Sequence, residues 1–127
     1  MTTAITTKEF TTKINVRTHE LVADEPKEIG GQNEGPTPSE LLHASLASCS
    51  SITLRMYINR KEWDVQEIKV SVKQEINLVT QEKQLQKIIK ITGNLDDQQM
   101  KRLLTIAGKC PVHKLLSKSI IIESSIV

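Results

Sequence analysis

The sequence contains two cysteines, Cys49 and Cys110, and they are its best candidates for chemistry. A thiol that loses its proton becomes a thiolate, which is both a strong nucleophile and a metal ligand. Two cysteines can equally be small buried apolar residues, and in a reducing compartment they do not predict a structural disulfide. The surroundings of each cysteine must therefore distinguish a reactive pair from two inert residues.

Cys49 lies in the middle of a segment, residues 41–54, that contains no Asp, Glu, Lys or Arg. A helix of this composition is expected to be buried on most sides, and burial raises the pKa of a thiol. A reactive Cys49 would need a cation nearby. Arg55 lies six residues further along the same helix and points away from Cys49, so Arg17, near the N-terminus, is the better candidate.

Cys110 lies between Gly108 and Pro111, at the expected start of a short last helix. The free N–H groups and the dipole of a helix N-terminus stabilise a thiolate. An exposed, flexible thiol beside a glycine could also move to meet an oxidised partner. A cysteine that only caps the helix fits the same position.

Two other kinds of site use the same cysteines together with a histidine. Cys110 and His113, with Cys49, could supply three zinc ligands, but the second closely spaced pair typical of zinc motifs is missing. A hydrolase would need a base held against a thiol, and the spacing selects neither His43 nor His113 for that role. The sequence predicts no bound metal and no resident cofactor.

The elements that position these residues follow from apolar spacing and helix caps. Thr37, Pro38 and Glu40 form the start signal of a helix that should run to about Asn59. Further helices should begin near Asp96 and at Pro111, after a long loop at 26–38 and several stretches with strand-like alternation. The predicted strands are two within residues 1–25, with a turn near Asn15 to Thr18, then 63–74, 84–92 (with a slip that allows a bulge) and 119–126.

The pattern predicts one α+β domain over residues 1–127, with mainly antiparallel strands in the order ββ–α–ββ–α–α–β. The 17 Lys and Arg residues are scattered among 15 Asp and Glu residues, which disfavours nucleic-acid binding. No apolar stretch approaches the roughly 18 residues of a membrane span, and the N-terminus lacks the pattern of a signal peptide. We therefore expect a cytoplasmic protein without a membrane partner.

Four short motifs together resemble one known family. These motifs are DEP at 24–26, GG at 30–31, GP-x-P-x-ELL at 35–42, and CPVH at 110–113. With the uncharged helix that contains Cys49, they resemble the OsmC/Ohr family, which comprises osmotically inducible protein C and the organic hydroperoxide resistance proteins. The closest likeness is to its small OsmC-like branch, and it extends over nearly the whole chain.

The resemblance implies an OsmC-like fold, in which antiparallel sheets wrap around central helices in an intertwined homodimer. It also implies a thiol peroxidase that acts on organic hydroperoxides in oxidative-stress defence. Cys49 would attack the peroxide and become a sulfenic acid, and Cys110 would capture it as a disulfide. An external dithiol reductant would then restore both thiols.

The resemblance further implies roles for two other residues, and the apolar face of the helix suggests a role for two more. Arg17 would stabilise the thiolate, and Glu40 would orient that arginine, although Ser39 stands where the family has its glutamate. The apolar helix face with Ile52 and Met56 would bind the substrate and favour an apolar peroxide. The alternative is a binding or redox-sensing protein of the same fold with little turnover.

Overall fold

The computed structural model describes all 127 residues, which form two compact units, Met1–Ala44 and Ser45–Val127. The predicted α+β class with antiparallel pairing is confirmed, while the single domain over residues 1–127 stays a prediction. The order is βββ–α–ββ–α–α. The elements are β1 Thr2–Thr6, β2 Thr12–Val16, β3 His19–Ala23, α1 Pro38–Lys61, β4 Val65–Ile76, β5 Lys83–Gly93, α2 Asp97–Ala107 and α3 Pro111–Leu116.

The first unit contains a three-stranded antiparallel sheet in the order β1-β2-β3. Thr2 pairs with Val16 across β1 and β2, and Thr12 pairs with Ala23 across β2 and β3. The prediction of only two strands here is wrong. No glycine or proline marks the connection at 7–11, and β1 is exposed throughout, so it shows no alternation of apolar and polar residues.

The buried carboxylate of Asp24 organises the loop that follows β3. It accepts hydrogen bonds from Thr11 Oγ1 at 2.7 Å and from the backbone N–H groups of Glu25, Gln32 and Glu34 at 2.8, 3.4 and 3.3 Å. The hydrogen bond from Thr11 is the main reason why the pKa of Asp24 is lowered; burial opposes it, and the three backbone bonds add to it. One side chain thus folds a loop of more than ten residues back onto β3.

The same loop needs a glycine at Gly31. A Cβ atom at this position would collide with the backbone carbonyl group of Glu25. The backbone N–H of Gly31 donates to Pro26 O at 3.0 Å, across a single 3₁₀ turn at Lys27–Ile29. Close backbone approach therefore explains Gly31, and a φ of 98° explains Gly30, the other glycine of the GG motif.

Helix α1 begins as predicted. Glu40 N–H donates to Thr37 Oγ1 at 3.2 Å, and Thr37 N–H donates to Glu40 Oε2 at 2.8 Å. This reciprocal pair is a capping box, which satisfies two N–H groups that the first turn of a helix leaves free. None of the helices is long and apolar enough to span a membrane.

The second unit packs two helices against one face of the β4–β5 hairpin. Its buried core takes Leu54, Tyr57 and Ile58 from α1 together with three residues of α2. The partly buried residues that pack against it come mainly from the hairpin. These are Trp63, Val65, Ile68, Ile89, Ile91 and Leu95.

Two details of the second unit differ from the sequence-based expectation. The bulge lies in β4, between Val65 and Glu67, and not in β5, where the register is regular and Ile88 is exposed. The predicted last strand at 119–126 is also wrong, because Ser119 to Val127 forms no strand in this chain. A β-branched run predicts a strand only where a neighbouring strand is available to accept its hydrogen bonds.

The role of Asp24 generates a prediction about stability. Replacing Asp24 with Asn removes the charge that receives four hydrogen bonds, so Asp24→Asn should lower the midpoint of thermal unfolding at pH 7 by several degrees. A carboxylate whose pKa is lower in the folded chain adds stability above its unfolded pKa of about 3.9, and loses it as the pH falls through the folded value. The difference in unfolding midpoint between wild type and Asp24→Asn should therefore become smaller below about pH 4.

The measurement is thermal unfolding followed by circular dichroism from neutral to acidic pH. Asp97→Asn is the matched control, because Asp97 is exposed in the first turn of α2. A gap between wild type and Asp24→Asn that stays constant over this pH range would contradict the assigned role.

Candidate functional site

The site contains two polar residues, Ser50 and Lys87, on the faces of α1 and β5 that otherwise carry apolar side chains. In α1, Leu46, Ser50 and Leu54 are spaced four apart and are all buried. In β5 every second residue faces the helices, and Lys87 takes one of these positions next to Ile89, which packs on the core. Helical spacing and strand alternation therefore bring a hydroxyl and an ammonium group to the same place.

The ammonium group of Lys87 uses its three donors on three different helices. Nζ donates to Ser50 Oγ of α1 at 2.9 Å, to Ala107 O at the end of α2 at 2.7 Å, and to His113 Nδ1 of α3 at 3.1 Å. An ammonium group has three N–H bonds and no acceptor, so these contacts satisfy it completely.

No carboxylate balances the charge of Lys87. The two ion pairs in the structure join Lys13 to Glu20 and Lys73 to Glu75, and neither includes Lys87. Burial lowers the pKa of Lys87, and negative charge on Cys110 and Cys49 opposes that effect. The thiols are thus the groups whose negative charge meets the ammonium.

Cys110 is fully buried, with 0% of its surface exposed. Its Sγ accepts a hydrogen bond from His113 N–H at 3.2 Å, as the cap of α3, and lies 3.5 Å from Ser50 Oγ. The expectation that this thiol caps the last helix is confirmed. The expectation that it is exposed is wrong, because the α1–β5 surface around Ser50 and Lys87 covers it.

The pKa of Cys110 is lowered despite this burial. Burial is the largest single effect and acts to raise the pKa. The combined hydrogen bonds from Ser50 Oγ, His113 N–H and the Cys49 thiol, together with the charge of Lys87, outweigh it. Cys110 is therefore the more acidic thiol of the pair.

Cys49 is half-buried, and its pKa is raised. Burial is the main cause; a hydrogen bond from Val112 N–H partly offsets it, and the nearby Cys110 raises the pKa further. The two thiols lie close enough that each changes the pKa of the other. Cys110 is thus the first of the two thiols to ionise, and Cys49, the more accessible sulfur, keeps its proton at neutral pH.

The ring of His113 faces Lys87 and not a thiol. Burial and the charge of Lys87 both lower the pKa of His113, so its ring is neutral and Nδ1 accepts from the ammonium. Only the backbone N–H of His113 contacts Cys110. A hydrolytic base against the thiol therefore finds no support, and no three His, Cys, Asp or Glu side chains are grouped to hold a metal ion.

Arg17 and Glu40 both belong to the first unit. Arg17 is exposed in the two-residue turn between β2 and β3, with φ 55°, and the turn itself is confirmed at the predicted place. The exposed carboxylate of Glu40 is used by the capping box. Arg55 donates to the backbone oxygens of Val65 and Gln66 at 3.0 and 3.3 Å, which commits it to the start of β4.

Ile52 and Met56 are exposed on α1 and line a groove of about 380 Å³ that includes Arg55 and Ile68. Neither cysteine lines this groove. A second cavity of about 350 Å³ lies directly beside the thiol site, since Lys87 and His113 form part of its wall. Its remaining lining consists of Leu46, Lys83, Gln84, Leu85, Leu116 and Ser117.

Sequence reasoning missed Lys87 and Ser50. The apolar residues of 84–92 include both Ile88 and Ile89, and a slip of one residue between them leaves the inward face, and with it the orientation of Lys87, undefined. The detectable signal was a lysine at the inward position beside Ile89, and a serine between Leu46 and Leu54 in the apolar stripe. A polar residue inside an apolar face needs a partner, and here each is the partner of the other.

Comparison with solved structures shows what this arrangement is similar to. A putative osmotic stress induced and detoxification response protein from Psychrobacter arcticus is 23% identical, with a TM-score of 0.76 over 90% of this chain and 85% of that one. An organic hydroperoxide resistance protein OsmC from Legionella pneumophila is 19% identical, with a TM-score of 0.64 over 91% and 88%.

A third similar structure is a putative organic hydroperoxide resistance protein from Vibrio cholerae, with captopril bound in one of its active sites. It is 22% identical, with a TM-score of 0.63 over 91% of this chain and 83% of that one. At these identities the likeness shows the fold alone. No curated protein sequence matches the chain significantly.

The family model described as OsmC-like protein matches residues 31–125, which include both cysteines and the second part of the loop after Asp24. The chain therefore belongs to the OsmC-like protein family.

Proposed function

We propose that the protein is a thiol peroxidase that reduces organic hydroperoxides through Cys49 and Cys110. The observation that carries the proposal is the pairing of two adjacent thiols, one accessible and protonated, the other shielded and acidic. Such a pair suits an oxidation at the first sulfur followed by disulfide closure at the second. The names of several similar structures as organic hydroperoxide resistance proteins support the same reaction.

The first step takes place at Cys49. Its thiolate attacks one peroxide oxygen, so that an S–O bond forms and the O–O bond breaks. The other oxygen leaves as an alkoxide and takes up a proton to give an alcohol, which leaves Cys49 as a sulfenic acid. Because the pKa of Cys49 is raised, little thiolate is present at neutral pH, and this step should accelerate as the pH rises.

The second step uses the thiolate of Cys110. It attacks the sulfur of the sulfenic acid, the S–S bond forms, the S–O bond breaks, and the departing hydroxide gains a proton to leave as water. A dithiol reductant from outside then reduces the disulfide and is itself oxidised. No resident cofactor takes part, and we propose that the reaction occurs in the cytoplasm.

The reaction generates a prediction about both thiols. One equivalent of an organic hydroperoxide, added to the reduced protein, should convert it to a species lighter by two hydrogens with no free thiol, as measured by intact mass spectrometry and thiol titration. With a dithiol reductant present, peroxide consumption should continue over many cycles. Cys110→Ser should stop at the sulfenic acid, and Cys49→Ser should resist oxidation.

A protein that keeps both thiols after this treatment would contradict the proposal. Oxidation without sustained turnover would instead favour a redox-sensing protein of the same fold. Two observations favour that second candidate: burial raises the pKa of Cys49, and the carboxylate of Glu40 is occupied in the helix cap.

The roles proposed for Arg17 and Glu40 have a separate test. If both support the Cys49 thiolate, Arg17→Gln and Glu40→Gln should each slow the first oxidation step about tenfold or more in stopped-flow assays with excess hydroperoxide. Gln at 40 keeps the acceptor of the capping box, so helix stability should change little. Arg60→Gln, at the far end of α1, is the control. Rates equal to wild type would restrict Glu40 to its capping role.

The substrate-binding role proposed for Ile52 and Met56 rests on their exposed apolar side chains in the groove on α1. The leucine-lined cavity beside Lys87 is the other apolar surface that a hydroperoxide could contact. Both surfaces favour an organic hydroperoxide over hydrogen peroxide, because burial of hydrocarbon contributes about 25 cal/mol per Å².

We also propose that the working form is a homodimer. The C-terminal segment exposes a run of large apolar side chains, with Ile121 at 89% and Ile122 at 83% of their surface. Exposed apolar side chains in such a cluster are typical of a surface that another chain covers. A β-branched segment with no strand partner in its own chain is suited to pair with a second copy.

The proposed homodimer predicts that removal of apolar side chains from the C-terminal segment weakens dimerisation. The double variant Ile121→Ser with Ile122→Ser should weaken dimerisation about tenfold or more, because these side chains would no longer be buried. Analytical ultracentrifugation over a concentration series measures the effect. Leu78→Ser with Val79→Ser, in the equally exposed turn between β4 and β5, is the control. Monomeric wild-type protein at all concentrations would refute the dimer.

A further inference from the structure

One lysine inside the second unit has no role in the reaction proposed above. We propose that Lys87, through Ser50, is the positioning residue that holds Cys110 as the attacking thiolate in disulfide closure. This assignment rests on the proposed function for its chemical use, but its electrostatic part is independent of any peroxide. The positive charge of the site would then come from Lys87 on β5.

The geometry forms a continuous line from the ammonium to the sulfur. Lys87 Nζ donates to Ser50 Oγ at 2.9 Å, and Ser50 Oγ lies 3.5 Å from Cys110 Sγ. Since the serine oxygen accepts from the ammonium, its own hydrogen is free to be donated to the sulfur. A thiolate accepts that hydrogen more strongly than a thiol does, so this orientation favours the charged form of Cys110.

The position of Lys87 is fixed from two further sides. Ala107 O and His113 Nδ1 accept its remaining hydrogens at 2.7 and 3.1 Å. Ser50 and Cys110 are both fully buried, so water does not screen their contact. A side chain without these anchors would extend into solvent, as lysines usually do.

The charged and titratable groups around Cys110 are few. Cys49 faces it from α1, Lys87 from β5 and His113 from α3, while α2 contributes only the carbonyl oxygen of Ala107 to this cluster. Burial and the charge of Lys87 lower the pKa of His113, so its ring is neutral at pH 7, and the raised pKa of Cys49 keeps that thiol protonated. Lys87 is therefore the group in this cluster that supplies a full positive charge.

The consequence concerns the second step of the proposed reaction. When Cys49 becomes a sulfenic acid, Cys110 lies beside the sulfur that it attacks, and Lys87 and Ser50 favour its charged form there. The S–S bond forms as the S–O bond breaks, and the hydroxide takes up a proton as it leaves. The positive charge then has no anion to face, and it regains one when the dithiol reductant restores the thiols.

The test measures the titration of Cys110 directly. In the background Cys49→Ser, Cys110 is the one remaining thiol, and its thiolate is followed by ultraviolet absorbance against pH, with the variant lacking both cysteines as the blank. Lys87→Met, which keeps the length of the side chain but not its charge, should move the titration midpoint to higher pH. Lys87→Arg should keep most of the effect, and Lys90→Met, on the exposed face of β5, should have none.

Ser50→Ala provides a second test, since it removes the connecting hydroxyl and leaves Lys87 in place. It should also move the midpoint to higher pH, and circular dichroism checks that each variant is folded. With Cys49 present, either substitution should slow disulfide closure about tenfold at neutral pH.

An unchanged midpoint in folded Lys87→Met, or in Ser50→Ala if the first variant does not fold, would overturn the assignment. The result is separate from that of the peroxidase test. If the wild-type protein does not react with hydroperoxide but Lys87→Met still shifts the midpoint, the proposed function fails and the electrostatic role of Lys87 stands.

Discussion

The half-buried ammonium group of Lys87 is the constraint on which the site depends. An ammonium removed from water is unstable unless hydrogen bonds and opposite charge replace its hydration. Here three acceptors from α1, α2 and α3 replace the water, and no carboxylate supplies the charge. The three helices can close around β5 only if each brings its acceptor to this point, so the packing of the second unit and the geometry of the thiols are determined together.

This constraint also decides how protons are shared between the thiols. Two neighbouring thiolates repel each other, so ionisation of one thiol hinders ionisation of the second, and the better-stabilised sulfur ionises first. Cys110 accepts hydrogen bonds from Ser50 and His113 and faces the ammonium group, and these contacts lower its pKa. Burial and the nearby Cys110 raise the pKa of Cys49. The shielded sulfur is therefore the acidic one. Position in the sequence suggested the opposite distribution of exposure, because it does not show what covers a helix N-terminus.

Much of the fold could be predicted from local signals. The capping box at Thr37 and Glu40, the start of α3 at Pro111 and the turn near Arg17 are all encoded within a few residues, and the structure has them at the expected places. The strand at 119–126 could not be judged in this way, since a strand needs a neighbouring strand that local sequence does not specify. The extra strand β1 escaped because both of its faces are exposed and no turn residues separate it from β2.

The sequence was sufficient to predict the two cysteines of the site, but not the cation that lies beside them. The cysteines are rare and stand in recognisable motifs, so the sequence and the family resemblance identify them. The cation is one of many lysines, and only the register of β5 distinguishes it. A slip of one residue in that register exchanges the inward and outward faces of the strand. The orientation of Lys87 therefore depends on whether the bulge lies in β4 or in β5. Once the bulge is in β4, the inward face of β5 follows from simple alternation.

The identity of the cation is itself a consequence of this geometry. Its three acceptors lie on three separate helices around a single point, which suits a compact ammonium with three divergent N–H bonds. A planar guanidinium presents its donors in a fork and would match a carboxylate better than this arrangement. A lysine on a strand can also approach the thiols from the sheet side, opposite to the helix that carries Cys49. The sheet therefore contributes electrostatics to a site whose reacting atoms all lie on helices or at their ends.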